Sequence, residues 1–349
     1  MFLSRHTQMR VTMASHEDVP QELIDAFTDE VKGKAEVLLL NLDKAMPDML
    51  IAEREQASEF RTRNEARWAP ALDLLESLLV MCTEAGQIVS EGEGPQISDP
   101  KFAAIQRIHA RSMLVSREAL CLIRSGFADG ALSRWRTLHE LSVIAIFLAN
   151  NEANISRRYL ASRVFIARKA ALELNQFAGR LNMEPFPDST MQQFDEECEQ
   201  IEALITPSLA KKPEYSWASP ALPPGNPTFA AIEAAVGLDF YRPYFTWACD
   251  HTHGGSREPM SLLGAAEAPT PLLLVGESNG GMVDPIQLVS LSAAKVTVSF
   301  LSLRPEAENV LVYMQAISVA SARIGPIAID VEKRTLEENS GVTTDSNAP

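Results

Sequence analysis

Two short segments of the chain carry residue types that can do acid–base or phosphate chemistry. The first, Arg134-Trp-Arg136-Thr-Leu-His139-Glu140, places two arginines, a histidine and a carboxylate side by side. On a helix Arg136 and Glu140 stand at i, i+4, one above the other, and His139 stands beside them. Arg134 and His139 are about 140° apart around an ideal helix, so they do not converge on one ligand from a single chain. The second segment, Cys249-Asp250-His251-Thr252-His253-Gly254-Gly255, holds two of the six histidines. Each segment also has a purely structural reading. Arg136 and Glu140 can form an intrahelical ion pair, and histidines at a helix C-terminus suit its negative dipole end. A metal would need a third ligand beside His251 and His253, and none stands at a suitable spacing. No metal and no cofactor is therefore expected.

Other chemistries lack local support. The chain has no G-x-x-x-x-G-K-[ST], no G-x-G-x-x-G after a strand, no G-x-S-x-G and no H-E-x-x-H, so no nucleotide cofactor is expected. The four cysteines, Cys82, Cys121, Cys198 and Cys249, have no C-x-x-C spacing and read as reduced thiols. The net charge of −15 argues against general nucleic-acid binding. That charge is uneven, however: between Lys101 and Arg180 thirteen Lys/Arg face five Asp/Glu, a net of +8. Such asymmetry can mark a local site for an anionic ligand, or a set of arginines paired with acidic segments elsewhere.

The elements that must position these residues are helical. At 349 residues the chain is long enough for one large domain or two ordinary ones. Apolar residues recur at helical spacing from Pro20 to Pro47 and from about Glu53 to Ser90. Helices are predicted near 100–125 and 130–149, with Gly126 ending the first and Asp129 capping the second. The connection is so short that the two should form an antiparallel αα-hairpin. Further helices are predicted near 155–182 (after Asn154 as cap), 189–205, 228–236, 239–251, 285–303 and 305–324. Pro207–Pro227 reads as an irregular Pro-rich loop, and Leu272–Val275 is the one short apolar run that resembles a strand. The expected fold is an all-α helical bundle around the central hairpin, with at most a minimal strand. A leader over 1–19, a helical domain over 20–330 (with 20–185 and 186–330 as its two subregions) and a disordered tail over 335–349 complete the plan. No run reaches the 18 or more consecutive apolar residues of a membrane span, and the first residues do not read as a signal peptide, so a cytoplasmic protein off the membrane is expected.

The stretch Leu122–Leu148, above all Gly126-Phe-Ala-Asp-Gly-Ala and Arg136-Thr-Leu-His-Glu140, resembles a large family of bacterial proteins known as domain of unknown function 5677. That family has a Gly-rich helical hairpin followed by Arg-[Ser/Thr]-Leu-x-Glu, and far downstream a helix ending in a Ser-x-x-x-His-Gly-like motif. Here Cys249 takes the serine position, and His253-Gly254 match the histidine and glycine. Val275-Gly276-Glu-Ser-Asn-Gly and Asp284-Pro285 also fit, so the resemblance spans roughly residues 60–320. It implies no activity. The chain is also similar in two short patterns to helical ribonucleases of the HEPN class, which serve bacterial defence and toxin systems and cut RNA without metal. Arg134…His139 fits their usual Arg–His spacing, and Arg136…Glu140…His253 fits a variant with a distant histidine.

Two functional readings therefore stand open. In the first, the chain is a metal-independent endoribonuclease acting on RNA, with a homodimer as its working form. His253 would be the acid/base, Arg136 the phosphate ligand and Glu140 the orienting carboxylate. His251 is the alternative to His253, and Arg134 and His139 are secondary candidates. In the second, it is a non-enzymatic helical scaffold or ligand-binding module, and Arg136, Glu140 and His253 belong to a buried polar network. An open cleft around these residues favours the first, and a sealed, hydrogen-bonded network the second.

Overall fold

A computed structural model describes residues 20–92, 98–253, 261–268, 270–306 and 309–340. It is 80% helical, with no strand among the described residues. The leader over 1–19 and residues 341–349 lie outside the described residues, as does Gly254-Gly255. The chain divides into two units, 1–60 and 61–349. The described part of the first is entirely helical and leaves large apolar side chains exposed, among them Phe27, Val31, Leu38 and Leu42. The remainder holds the core.

The first helix, α1, runs unbroken over Gln21–Glu91, through Pro47, where the sequence pattern predicted a break. Its C-terminal half buries Trp68, Ala71, Leu75, Leu79 and Cys82 at 3- and 4-residue steps, one stripe facing the core.

The helix α2 (Pro100–Arg124) begins where expected. Asp99 caps it, accepting from the backbone N–H of Lys101 at 2.8 Å, and Pro100 fills the first turn at no hydrogen-bonding cost. Ser125–Phe127 then turns the chain, with Gly126 at φ 84°, a left-handed conformation that glycine adopts without strain. The next helix, α3 (Ala128–Asn150), starts one residue before Asp129, so Asp129 is not its cap. The carboxylate instead reaches outside the hairpin, as described below. Lys101 near the start of α2 donates to the carbonyl of Ala149 near the end of α3, which fixes the pair as antiparallel. Ile108, Val115, Leu138 and Leu141 are buried between them and their neighbours.

The helix α8 (Val283–Leu301) packs on both members of the hairpin and is apolar almost all round, as a helix surrounded by others must be. Trp135 of α3 donates its indole N–H to Ser292 of α8 at 3.0 Å. The last helix, α9 (Val310–Ser340), covers α8 with Val310, Ile317, Ile324 and Val331 and extends well past Ile324, the expected end. Its Val310–Glu338 portion is long and apolar enough to cross a membrane by length and composition, and only 28% of its most apolar stretch is buried.

The helix α4 (Ala153–Leu181) starts just before Asn154, with Glu152 at the cap position, and packs against α2 and α5 (Asp188–Leu204). The Pro-rich stretch that follows is irregular apart from a 3-10 turn over Ser216–Ala221. Arg158 of α4, itself 1% exposed, holds it by donating to the carbonyls of Pro207, Ser216 and Trp217. Thr228 caps the short α6 (Phe229–Ala235), and α7 (Arg242–Asp250) follows a 3-10 turn. Leu272–Val275 forms neither strand nor helix, and Val275 is 94% exposed.

Candidate functional site

Arg136 lies two turns into α3 and meets α7 there. Its Nη2 is 3.1 Å from Glu140 Oε1, and its Nε donates to Cys249 Sγ at 3.0 Å. The guanidinium sits 4.9 Å from the Phe245 ring, a cation–π contact. The Arg–Leu–Glu and Cys–His–Gly segments, more than a hundred residues apart, thus meet through Arg136, Glu140 and Cys249. Burial works against the charge on Arg136, but the Cys249 hydrogen bond and the Glu140 charge outweigh it and raise its pKa. Burial likewise raises the pKa of Glu140, against the opposing pull of Arg136 and Arg111.

His139 points the other way around the helix. It is 1% exposed, boxed in by Trp135, Phe229, Tyr241 and Phe245, and its Nε2 lies 2.7 Å from Glu233 Oε1. Glu233, from α6, is fully buried and pairs through its other oxygen with Arg242, whose guanidinium stacks over Phe229 and Phe245. Burial depresses the pKa of His139, and the cationic Lys295 and Arg242 push the same way. A neutral ring in its Nε2–H tautomer donates to the carboxylate across this contact. Lys295 itself lies 5.1 Å from the Tyr241 ring, and burial lowers its pKa to about 8.

Arg134 forms an ion pair with Glu118 of α2. His251 turns inward, its Nε2 3.2 Å from Asp129 Oδ1. The same carboxylate accepts the backbone N–H groups of Leu263 at 2.9 Å and Gly264 at 3.1 Å. Around this point other family-like segments gather. Ser278 N–H donates to the Gly126 carbonyl at 2.9 Å, and its hydroxyl to the Gly264 carbonyl. Arg67 and Trp68 of α1 both donate to the Asn279 carbonyl. His253 is exposed at the end of α7; its backbone N–H donates to the Cys249 carbonyl, and its ring makes no hydrogen bond among the described residues.

The sequence pattern thus brings Arg136 and Glu140 together in the structure, sends His139 and His251 to separate carboxylates, and leaves His253 at the surface. Glu233, Arg242 and Lys295 are residues it did not single out, and Asp129 it read only as a helix cap. Glu233 and Arg242 sit in short segments without a motif. Asp129 had a visible signal, a carboxylate in a Gly-Phe-Ala-Asp-Gly turn, but that signal also fits a helix cap. Among the described residues no group of three or more His, Cys, Asp or Glu is arranged to hold a metal ion.

No curated protein and no solved structure matches the chain. One family model does, over Phe102–Ala268, which takes in the α2–α3 hairpin, the Arg136–Glu140–Cys249 cluster and the Asp129 anchor. That model is of DUF5677, a family of unknown function, and residues 102–268 of this chain match it.

Proposed function

We propose that the chain is a helical binding module rather than a catalyst, and that the polar residues around Arg136 hold its helices in register. One observation carries this reading: two of the three candidate histidines are already committed to carboxylates, His139 to Glu233 and His251 to Asp129, with little solvent contact. A base that must take a proton from a substrate needs a free nitrogen within hydrogen-bond reach of it. A cavity of 830 Å³ between α4 and α5 and one of 340 Å³ between α2 and α4 are lined by other residues. In this reading the module works in the cytoplasm, off the membrane and without a nucleotide cofactor. Expression of wild type and Arg136→Ala, followed by growth and total RNA integrity, tests it. Intact RNA in both cultures is expected. Degraded RNA with wild type and intact RNA with an equally helical Arg136→Ala would overturn it.

A metal-independent ribonuclease is the second reading, favoured by the partial exposure of Arg136 and Glu140 (29% and 26%) and by the exposed His253. A second copy of the chain would then complete the site, with His253 as acid/base, Arg136 binding phosphate and Glu140 orienting it. Cleavage of tRNA or mRNA by purified protein, abolished in His253→Ala, is the outcome this reading requires.

A further inference from the structure

The 340 Å³ cavity between α2 and α4 has a composition that the bundle does not need. Ile108 of α2, Leu141 of α3 and Leu160 of α4 line it with apolar side chains. Arg107 and Arg111, one helical turn apart on α2, and Arg163 of α4 line it with three cations. All three are exposed, so water screens most of their mutual repulsion, and a bound anion would relieve the rest. Arg158 is held by three carbonyls, and Arg67, Arg124, Arg134, Arg136, Arg168 and Arg242 each have a carboxylate within ion-pair distance. Among the described residues Arg107, Arg111 and Arg163 have none. Glu140 feels the charge of Arg111, but Arg136 already holds that carboxylate.

A fourth polar group lines the same cavity. The Tyr159 ring packs edge-on against Trp217 at 5.0 Å, and its hydroxyl has no hydrogen-bond partner among the described residues. Burial raises its pKa, so the phenol keeps its proton and remains a donor. Three guanidinium groups and one hydroxyl around an apolar floor are donors without acceptors, a set that suits oxyanions. The volume is that of a small-ligand site, which spans roughly 300–1,000 Å³. The excess of basic residues between Lys101 and Arg180 belongs to the helices that form the cavity.

We propose that this cavity binds a small oxyanion, a phosphate monoester or a carboxylate, carried on a compact apolar body. Arg107, Arg111 and Arg163 take the anion, Tyr159 adds a hydrogen bond, and Ile108, Leu141 and Leu160 receive the apolar part. The proposal rests on the binding-module reading in supplying that module with its ligand class.

The test is titration calorimetry on the full chain with four probes: phenyl phosphate, benzoate, inorganic phosphate and phenol. Phenyl phosphate or benzoate should bind about tenfold or more tightly than phenol and inorganic phosphate, since charge and apolar contact each contribute. Arg111→Gln/Arg163→Gln should weaken that binding by about tenfold or more while helical content stays the same. Arg168→Gln/Lys169→Gln, at the separate 830 Å³ cavity, should leave it unchanged. Equal binding by wild type and the Arg111/Arg163 variant would overturn the proposal, as would phenol binding as well as phenyl phosphate. A short single-stranded RNA that binds more tightly than phenyl phosphate and is lost in the same variant would also overturn it, making the arginines a polyanion contact. RNA cleavage by wild type would sink the binding-module reading alone, because phenyl phosphate binding and its loss in the variant are read independently of any cut.

Discussion

His251 Nε2 lies 3.2 Å from Asp129 Oδ1, and the same carboxylate caps the backbone of Leu263 and Gly264. One side chain at the start of α3 therefore ties down both the end of α7 and the chain beyond it. Its acceptor role is charge-assisted, and hydrogen bonds of that kind are worth roughly 1.5–3 kcal/mol each. Asp129→Ala should cost about 2–4 kcal/mol in urea unfolding, because it orphans several donors together. Asp129→Asn should cost less, since the amide oxygen keeps one acceptor. Equal stability of Asp129→Ala and wild type would show that the anchor carries no load.

The buried histidines make stability depend on pH. Burial lowers the pKa of His109 from 6.5 to about 4, with a hydrogen bond to the Cys82 backbone carbonyl opposing, and His139 and His251 are lowered as well. A histidine with a depressed folded pKa binds fewer protons folded than unfolded, so its stability contribution is full above pH 6.5 and falls as pH drops towards 4. The raised carboxyl groups of Glu140, Asp284 and Glu332 slope the other way in that region, so the histidine share is best read by difference. His109→Gln should lose less stability than wild type between pH 7 and pH 4.5, by about 2 kcal/mol. Parallel pH profiles for the two proteins would refute the assignment.

The bundle was legible because helix periodicity reports burial: Ile108, Val115, Leu138 and Leu141 recur at helical steps and are buried, while Leu122 and Ile144 of the same stripes are partly buried. The break expected at Pro47 was wrong because a proline costs one hydrogen bond and a local clash, which a helix of 71 residues absorbs. Asp129 was misread for a different reason. A carboxylate one residue into a helix and one capping it look alike in sequence, and only the position of Leu263 and Gly264 separates them. Arg136 and Glu140 could be paired from spacing alone, whereas their link to Cys249 depends on where α7 lands. The Glu233–Arg242 pair had no local signal, because its partner His139 lies ninety-four residues away.

Gly86 shows how closely α1 and α2 approach. A Cβ at this position would stand 2.2 Å from His109 Cε1. Alanine normally favours a helix over glycine by about 1 kcal/mol, yet Gly86→Ala should destabilise by about 1–3 kcal/mol through overpacking. In a His109→Ala background the same change should turn neutral or stabilising, because the ring it would strike is gone. Chemical denaturation of the four proteins in this cycle measures the coupling, and simple additivity would rule out the contact as the cause.

Glu233 offers the sharpest test of the sealed network. It is fully buried between His139 and Arg242, so removing it leaves a buried donor on the imidazole and a guanidinium stacked on aromatic rings with no counter-charge. Breaking a buried pair by deleting one partner typically costs about 3–5 kcal/mol. Arg242 is 35% exposed and can turn towards water, which places Glu233→Ala at the lower end, about 3 kcal/mol. Glu233→Gln should cost less, because the amide oxygen still accepts from His139 while the charge facing Arg242 is lost. Trp135, whose ring centre is 5.2 Å from that of His139, reports the local change by its fluorescence. If Glu233→Ala unfolds at the same urea concentration as wild type with unaltered Trp135 emission, the His139–Glu233–Arg242 network does not hold α3, α6 and α7 together.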